Sequence, residues 1–142
     1  MYQFTRVEDP ARLIAEKEYI TGIPAAGGIN FTKFTSCLGV AVYNSETGSI
    51  SGAHLVPPTE SATDDEIATW TAELVANLGT HTESLIFGFY DIWKNVGNGN
   101  LYKILKNLKN NLTNYSKDKL PESAATADYK VKYIAGEWDI NK

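Results

Sequence analysis

Two short apolar segments joined by a polar turn are the feature that most constrains the fold of this chain. Residues 38–43 and 49–56 are rich in small and β-branched side chains, and the polar segment between them ends in Gly48. Short apolar runs bounded by turn residues are typical of paired strands. The sequence therefore predicts a β-hairpin here.

A helix and a buried strand are predicted directly after the hairpin. Residues 63–79 open with a capping box formed by Thr63 and Glu66. Helical spacing then places five residues on one face, which are Ile67, Trp70, Thr71, Leu74 and Leu78. The apolar run at 84–93 has the pattern of a central strand.

The rest of the chain supplies four weaker predictions. Residues 9–19 are predicted to form a short helix capped by Asp9, and the glycine-rich residues 22–31 a loop. Residues 100–112 have the apolar spacing of a second helix. A polar connector follows, and residues 129–135 alternate like an edge strand.

This order of elements predicts an α/β or α+β fold, with helices flanking mixed, sandwich-like β-sheets. The chain has 142 residues, of which 43% are hydrophobic. That size and apolar content are typical of one globular domain with a core of its own. We therefore expect a single domain that covers residues 1–142.

Charge, hydropathy and cysteine content limit the function. Thirteen basic and seventeen acidic residues give a net charge of -4, which argues against nucleic acid or an anionic membrane as the main partner. No apolar window reaches the roughly 18 residues of a membrane span, and the first residues do not resemble a signal peptide. A single cysteine cannot form an internal disulfide. We expect a cytoplasmic protein without membrane insertion.

The predicted hairpin carries the one cysteine, Cys37, and one of the two histidines, His54. A four-residue loop at 44–47 would place Cys37 directly opposite His54. A loop at 45–48 would place His54 opposite Gly39 and diagonal to Cys37, within about 7–8 Å. A three-residue loop would put the two side chains on opposite faces of the sheet.

A cysteine and a histidine on one face can act as a nucleophile and its base. The imidazole takes the thiol proton, raises the thiolate fraction and later protonates the leaving group. Small residues on this face, such as Gly39, Ala41 and Gly52, favour an open surface notch with room for a substrate. The alternative, which composition alone favours, is that Cys37 is a small core hydrophobe and His54 a structural histidine.

The segment "TSCLGVAVYNSETGSISGAHLVPP" resembles the signature of the CheD family of chemoreceptor glutamine deamidases. That signature has Gly-Ser-Cys, an apolar strand, a turn of the Asp-x-x-Thr type, then Gly-Gly-x-x-His, and a proline four residues after the histidine. The matching positions here are Ser36, Cys37, Gly52, His54 and Pro58. Weaker similarity extends the match to about residues 35–112.

The resemblance implies a CheD-like fold and a protein-glutamine deamidase. Cys37 would attack the side-chain amide of a glutamine and His54 would act as its base. The implied partner is a protein with an exposed glutamine. No cofactor is implied, and two histidines with one cysteine show no recognisable spacing for a metal site.

Three further residues receive roles by this resemblance. The family's threonine, six residues before the cysteine, is Phe31 in this chain, so Thr32 is the nearest hydroxyl that could orient the imidazole. A backbone carbonyl near residues 30–31 is the alternative. Thr35 or Ser36, with the backbone N–H of Cys37, would stabilise the oxyanion.

The wider superfamily includes toxins of the cytotoxic necrotizing factor type, which keep little beyond the cysteine turn and a following histidine. The substrate is therefore expected to be either a chemoreceptor or, for a toxin or effector delivered by a non-classical route, a host protein. Two alternatives remain open. One is a catalytically inactive protein-binding module on the same scaffold, and the other is a transglutaminase or another thiol hydrolase.

Overall fold

The structure is a computed structural model that describes residues 3–32, 37–57, 62–88, 108, 112–114 and 128–141. In chain order the elements are β1 (Thr5–Arg6), β2 (Glu18–Pro24), β3 (Ile29–Phe31), β4 (Leu38–Asn44), β5 (Ser49–Leu55), α1 (Asp64–Leu78), β6 (Glu83–Gly88), β7 (Leu112–Asn114), β8 (Tyr129–Ile134) and β9 (Glu137–Asn141).

These strands form two sheets. The larger sheet has the strand order β1-β2-β5-β4-β6-β7 and is mixed, because β1 runs parallel to β2 and β7 parallel to β6, while the inner pairs are antiparallel. The smaller sheet has the order β3-β8-β9 and is antiparallel throughout. The predicted α+β class with mixed, sandwich-like sheets is confirmed.

The larger sheet is the middle layer, and each of its faces has its own core. Side chains alternate along β4, so that Leu38, Val40 and Val42 pack towards α1. Ala41 points the other way, into an apolar layer shared with the smaller sheet. We call this layer the inter-sheet core, and it includes Ile20, Ile29, Phe31, Ile50, Phe87, Tyr129 and Val131.

The helix α1 forms as predicted. Thr63 is the N-cap, and its side chain accepts a hydrogen bond from the backbone N–H of Glu66. Gly79 ends the helix with a φ of 83°. The buried residues are Ile67, Trp70, Thr71, Leu74 and Leu78, which are the five predicted positions. The predicted buried strand is confirmed for 84–88, and the rest of that run lies outside the described residues.

The helix predicted at 9–19 is wrong. Asp9 caps only a local turn, in which its side chain accepts a hydrogen bond from the backbone N–H of Ala11. Ile14 forms a parallel bridge with Phe31, and β2 begins at Glu18. Pairing with distant strands therefore overrides the local helical signal.

The loop predicted at 22–31 is also wrong. Strand β2 continues to Pro24, and β3 begins at Ile29 after a tight turn. Gly22 has a φ of 68° and lies where the register of β2 against β5 shifts between Ile20 and Ile23. The glycine thus belongs to an irregular strand, since glycine is favoured at such bulges.

Two predictions near the C-terminus also need correction. Most of the predicted helix at 100–112 lies outside the described residues, but Leu112 begins β7, which includes residues of the predicted connector. Strand β8 is not an edge strand, because β3 and β9 pair with its two sides. Within the part of the chain that the structure describes, no helix is long and apolar enough to cross a bilayer.

Candidate active site

The hairpin register decides where Cys37 and His54 lie relative to each other. Asn44 pairs with Ser49, and the loop is therefore residues 45–48. Gly48, with a φ of 66°, closes this loop by donating its backbone N–H to the carbonyl of Asn44 over 2.9 Å. His54 consequently lies opposite Gly39. Of the three registers open from the sequence, this one makes Cys37 and His54 diagonal neighbours.

Cys37 directly precedes β4 and packs in the inter-sheet core. Its exposed fraction is 1%, and that of His54 is 0%. The ring of Phe31, a member of the same core, has its centroid 6.4 Å from that of the His54 ring. The thiol and the imidazole therefore occupy the same layer. Thr35 and Ser36, the predicted oxyanion donors, lie outside the described residues.

Two groups lie within hydrogen-bond distance of Nδ1 of the His54 imidazole. Nδ1 lies 3.2 Å from the hydroxyl oxygen of Thr32 and 3.2 Å from the carbonyl oxygen of Ile14. A carbonyl can only accept a hydrogen bond, so the contact with Ile14 requires the hydrogen to be on Nδ1. In this neutral tautomer, Nε2 has the lone pair that can take a proton.

Burial lowers the pKa of His54 below its usual 6.5, because a charged imidazole loses its hydration inside the protein. The hydrogen bond to Ile14 and the carboxylates of Glu16 and Glu18 oppose this effect and raise the pKa. Since burial is the largest contribution, His54 is neutral at neutral pH. A neutral imidazole is the form that a general base requires.

The expectation of an open notch is wrong. Gly39 lies in register between His54 on β5 and Phe87 on β6, and the Phe87 ring occupies the space that a Cβ of Gly39 would fill. A Cβ on Gly52 would come within 3.0 Å of Ile29. The small residues on this face therefore make room for side chains of the inter-sheet core, and the described residues form no open notch there.

The prediction for Thr32 agrees with the geometry, since its hydroxyl is within hydrogen-bond distance of the imidazole. The predicted alternative, a carbonyl near residues 30–31, is replaced by the carbonyl of Ile14. Sequence reasoning missed Ile14 because it assigned that residue to a helix. A backbone carbonyl has no side-chain signature, and only the pairing of Ile14 with Phe31 reveals its position.

The other histidine shows no comparable arrangement among the described residues. Nδ1 of His81 lies 3.0 Å from the carbonyl oxygen of Gly79, directly after α1. The described ranges also contain no group of three or more His, Cys, Asp and Glu side chains placed to hold a metal ion. Cys37 and His54 therefore remain the candidate site.

Comparison with models of protein families and with curated protein sequences finds no match for this chain.

Proposed function

We propose that this protein is a cysteine-dependent glutamine deamidase, in which Cys37 is the nucleophile and His54 the general base and acid. The observation that carries the proposal is the arrangement around His54. The hairpin register makes His54 a diagonal neighbour of Cys37, and Nδ1 is held by Thr32 and Ile14. Nucleophile, base and orienting group are the three parts that such chemistry needs.

In the first half of the reaction, Nε2 of His54 takes the thiol proton. The Cys37 thiolate then attacks the side-chain carbonyl carbon of a glutamine, and a C–S bond forms. The C–N bond breaks as His54 returns the proton to the nitrogen, which leaves as ammonia. The product of this half is a thioester between Cys37 and the glutamyl side chain.

In the second half, His54 takes a proton from water, and the hydroxide attacks the thioester carbon. The C–S bond breaks, the proton returns to the sulfur, and a glutamate side chain is released. Thr35 or Ser36, with the backbone N–H of Cys37, remains our proposal for the donors that stabilise each tetrahedral oxyanion. The substrate is a protein with an exposed glutamine, either a bacterial chemoreceptor in the cytoplasm or a protein of a host cell.

Burial favours a second candidate function. Cys37 is 1% exposed and belongs to an apolar core, so a glutamine side chain cannot reach the sulfur without displacement of the groups around it. A scaffold that binds a protein without chemistry needs no such displacement. We therefore retain a non-catalytic binding module as the alternative.

The two functions differ in what happens to glutamine. A deamidase releases ammonia from unfolded casein, used as a glutamine-rich protein, or from a candidate chemoreceptor, and each modified glutamine gains about one dalton. Cys37→Ser and His54→Gln should abolish both signals, while the matched variants Ser51→Ala and His81→Gln should leave them unchanged. Equal ammonia release by all variants would contradict the assigned roles, and release by none would favour the binding module.

A further inference from the structure

The segment of residues 12–18, which leads into β2, contacts the backbone and the ring of His54. The carbonyl oxygen of Ile14 lies 3.2 Å from Nδ1 of the ring. Three residues later, the backbone N–H of Lys17 donates to the carbonyl of His54 over 2.8 Å. The 12–18 segment thus bonds to both the main chain and the side chain of His54.

The backbone of Ile14 also bonds to β3 and to the residue that follows β3. Its backbone N–H donates to Asn30 over 2.8 Å, and its carbonyl accepts from Thr32 over 3.1 Å. Its side chain is fully buried. The same carbonyl therefore serves both Thr32 and the imidazole, and a small displacement of the 12–18 segment would change both contacts.

Glu18 is the side chain that closes the 12–18 segment on itself. One carboxylate oxygen accepts the backbone N–H of Ala15 over 2.7 Å, and the other lies 2.6 Å from a guanidinium nitrogen of Arg12. The Glu18 side chain is only 13% exposed, and that of Arg12 is 56% exposed. Hydrogen bonds to an ionised acceptor are stronger than neutral ones, so Glu18 is well placed to fix this turn.

The turn also contains a strained residue. Lys17 has a φ of 62°, in the left-handed region that costs a residue with a side chain free energy. Such a conformation persists only when its surroundings hold it. Among the contacts that hold it are the bond from Lys17 to His54, the backbone bond from Thr5 to the carbonyl of Lys17 and the two bonds of Glu18.

We propose that Glu18 is a positioning residue for His54, which acts through the 12–18 segment. By holding Ala15 and Arg12, it keeps the carbonyl of Ile14 against Nδ1 and so selects the tautomer with the hydrogen on Nδ1. The hydroxyl of Thr32 cannot make this selection, because a hydroxyl both donates and accepts. The catalytic value of the selection rests on the proposed deamidase function, while the tautomer itself does not.

Nitrogen-15 NMR of the imidazoles tests this proposal in the full chain at neutral pH, and His81→Gln assigns the signals of the two rings. We expect the wild-type His54 ring to have its hydrogen on Nδ1. In Glu18→Ala, about half or more of the rings should have it on Nε2, because Nε2–H is the form that an unconstrained imidazole prefers. If the wild-type ring already has its hydrogen on Nε2, the proposal is overturned.

Glu16→Ala is the matched control. Both carboxylates raise the pKa of His54, so removal of either should lower that pKa. Only Glu18 bonds to Ala15 and Arg12, so only its removal should change the tautomer. An equal change of tautomer in the two variants would show a charge effect and would overturn the positioning role.

Glu18→Met, which keeps the length of the side chain and removes both acceptor oxygens, takes the place of Glu18→Ala if the alanine variant does not fold, and the same comparison with Glu16→Met then applies. An unchanged tautomer in folded Glu18→Ala or Glu18→Met would overturn the proposal. Ammonia release is measured in parallel. If the tautomer changes but the wild-type protein releases no ammonia, the positioning role is supported and the deamidase is not. If the wild-type protein releases ammonia but the tautomer does not change, the deamidase is supported and the positioning role is overturned.

Discussion

The two ends of the β4–β5 hairpin differ in both polarity and access to solvent. At the end away from the turn, which we call the closed end, Cys37 and His54 are buried in the inter-sheet core. At the turn end, which we also call the open end, the face towards α1 has a groove of about 290 Å³, lined mainly by hydroxyl and amide side chains. Among its lining residues are Asn44, Ser49 and Ser51.

Under the proposed function, the reactive groups lie at the closed end of the hairpin, and the open end has a structural role. Three of the turn-end hydroxyls are engaged with each other or with the backbone: Thr47 and Ser49 are 2.7 Å apart, and the side chain of Ser51 accepts the backbone N–H of Gly22. Among the described residues that line the groove, none is a histidine, a cysteine or a charged residue. Cys37 and His54, the proposed catalytic pair, lie at the closed end, where burial lowers the pKa of His54.

The largest effect that separates the two ends is expected in activity. Cys37→Ser should reduce ammonia release on the order of 10³-fold or more, because an alcohol is a far weaker nucleophile than a thiol next to an imidazole. Ser51→Ala, at the turn end, should leave the rate unchanged. A rate loss in Ser51→Ala as large as in Cys37→Ser would move the reactive site to the open groove.

The next effect is expected in stability. Gly39→Ala would place a methyl group in the Phe87 ring, which cannot retreat because Phe31 and Tyr129 pack against it with centroid distances of 5.3 and 6.3 Å. We expect the free energy of unfolding to fall by about 3 kcal/mol.

The matched glycine at the turn end is Gly48. A Cβ there meets no atom within 4 Å, and only its positive φ opposes alanine, so Gly48→Ala should cost about 1 kcal/mol. Urea denaturation measures both changes. If Gly39→Ala costs less than Gly48→Ala, the closed end is packed less tightly than the structure indicates.

A smaller effect is expected from the hydroxyl that contacts the imidazole. Thr32→Val keeps the shape of the side chain and removes the contact with Nδ1, but the carbonyl of Ile14 still holds the ring. We therefore expect kcat to fall roughly tenfold, with little change in KM. Thr21→Val, which alters the groove at the turn end, is the control and should leave kcat unchanged.

The smallest effect is a dependence of stability on pH. Because burial holds the pKa of His54 below 6.5, the unfolded chain binds more protons than the folded protein as the pH falls through 6.5. The contribution of His54 to the free energy of unfolding is therefore fully present above pH 6.5. It is lost as the pH falls towards the lower pKa of His54 in the folded protein.

Urea titrations between neutral and mildly acidic pH measure this effect. The loss of stability on acidification should disappear in His54→Gln. It should persist in His81→Gln, because His81 contacts an exposed carbonyl, that of Gly79, directly after α1. Stability that rises on acidification in the wild type, and no longer does so in His54→Gln, would contradict the direction of the pKa shift.

How far the sequence predicts this molecule depends on the range of the interactions involved. The five buried positions of α1 follow from helical period and a local capping box, so they were predictable. The hairpin was predictable as well, but its register was not, because the sequence left three registers open, two with a four-residue loop and one with a three-residue loop. Two of these three registers bring Cys37 and His54 together on one face of the sheet, and the third separates them.

The surroundings of His54 were less predictable for a physical reason. Ile14 reaches the ring through pairing with Phe31, seventeen positions later, and such pairing leaves no local pattern. Gly39 predicts a vacant space, but the sequence does not tell whether substrate or the ring of Phe87 fills it. The role of Thr32 came from its position relative to the family's threonine, not from the physical pattern of the chain.

Alkylation of the single thiol tests the central claim most directly, that buried Cys37 is a nucleophile activated by His54. Iodoacetamide is added to the native protein at neutral pH, and the rate is compared with that expected from global unfolding alone. We predict alkylation faster than this unfolding limit, slowed at least roughly tenfold in His54→Gln. Alkylation that proceeds only as the chain unfolds, at the same rate in both proteins, would contradict the account.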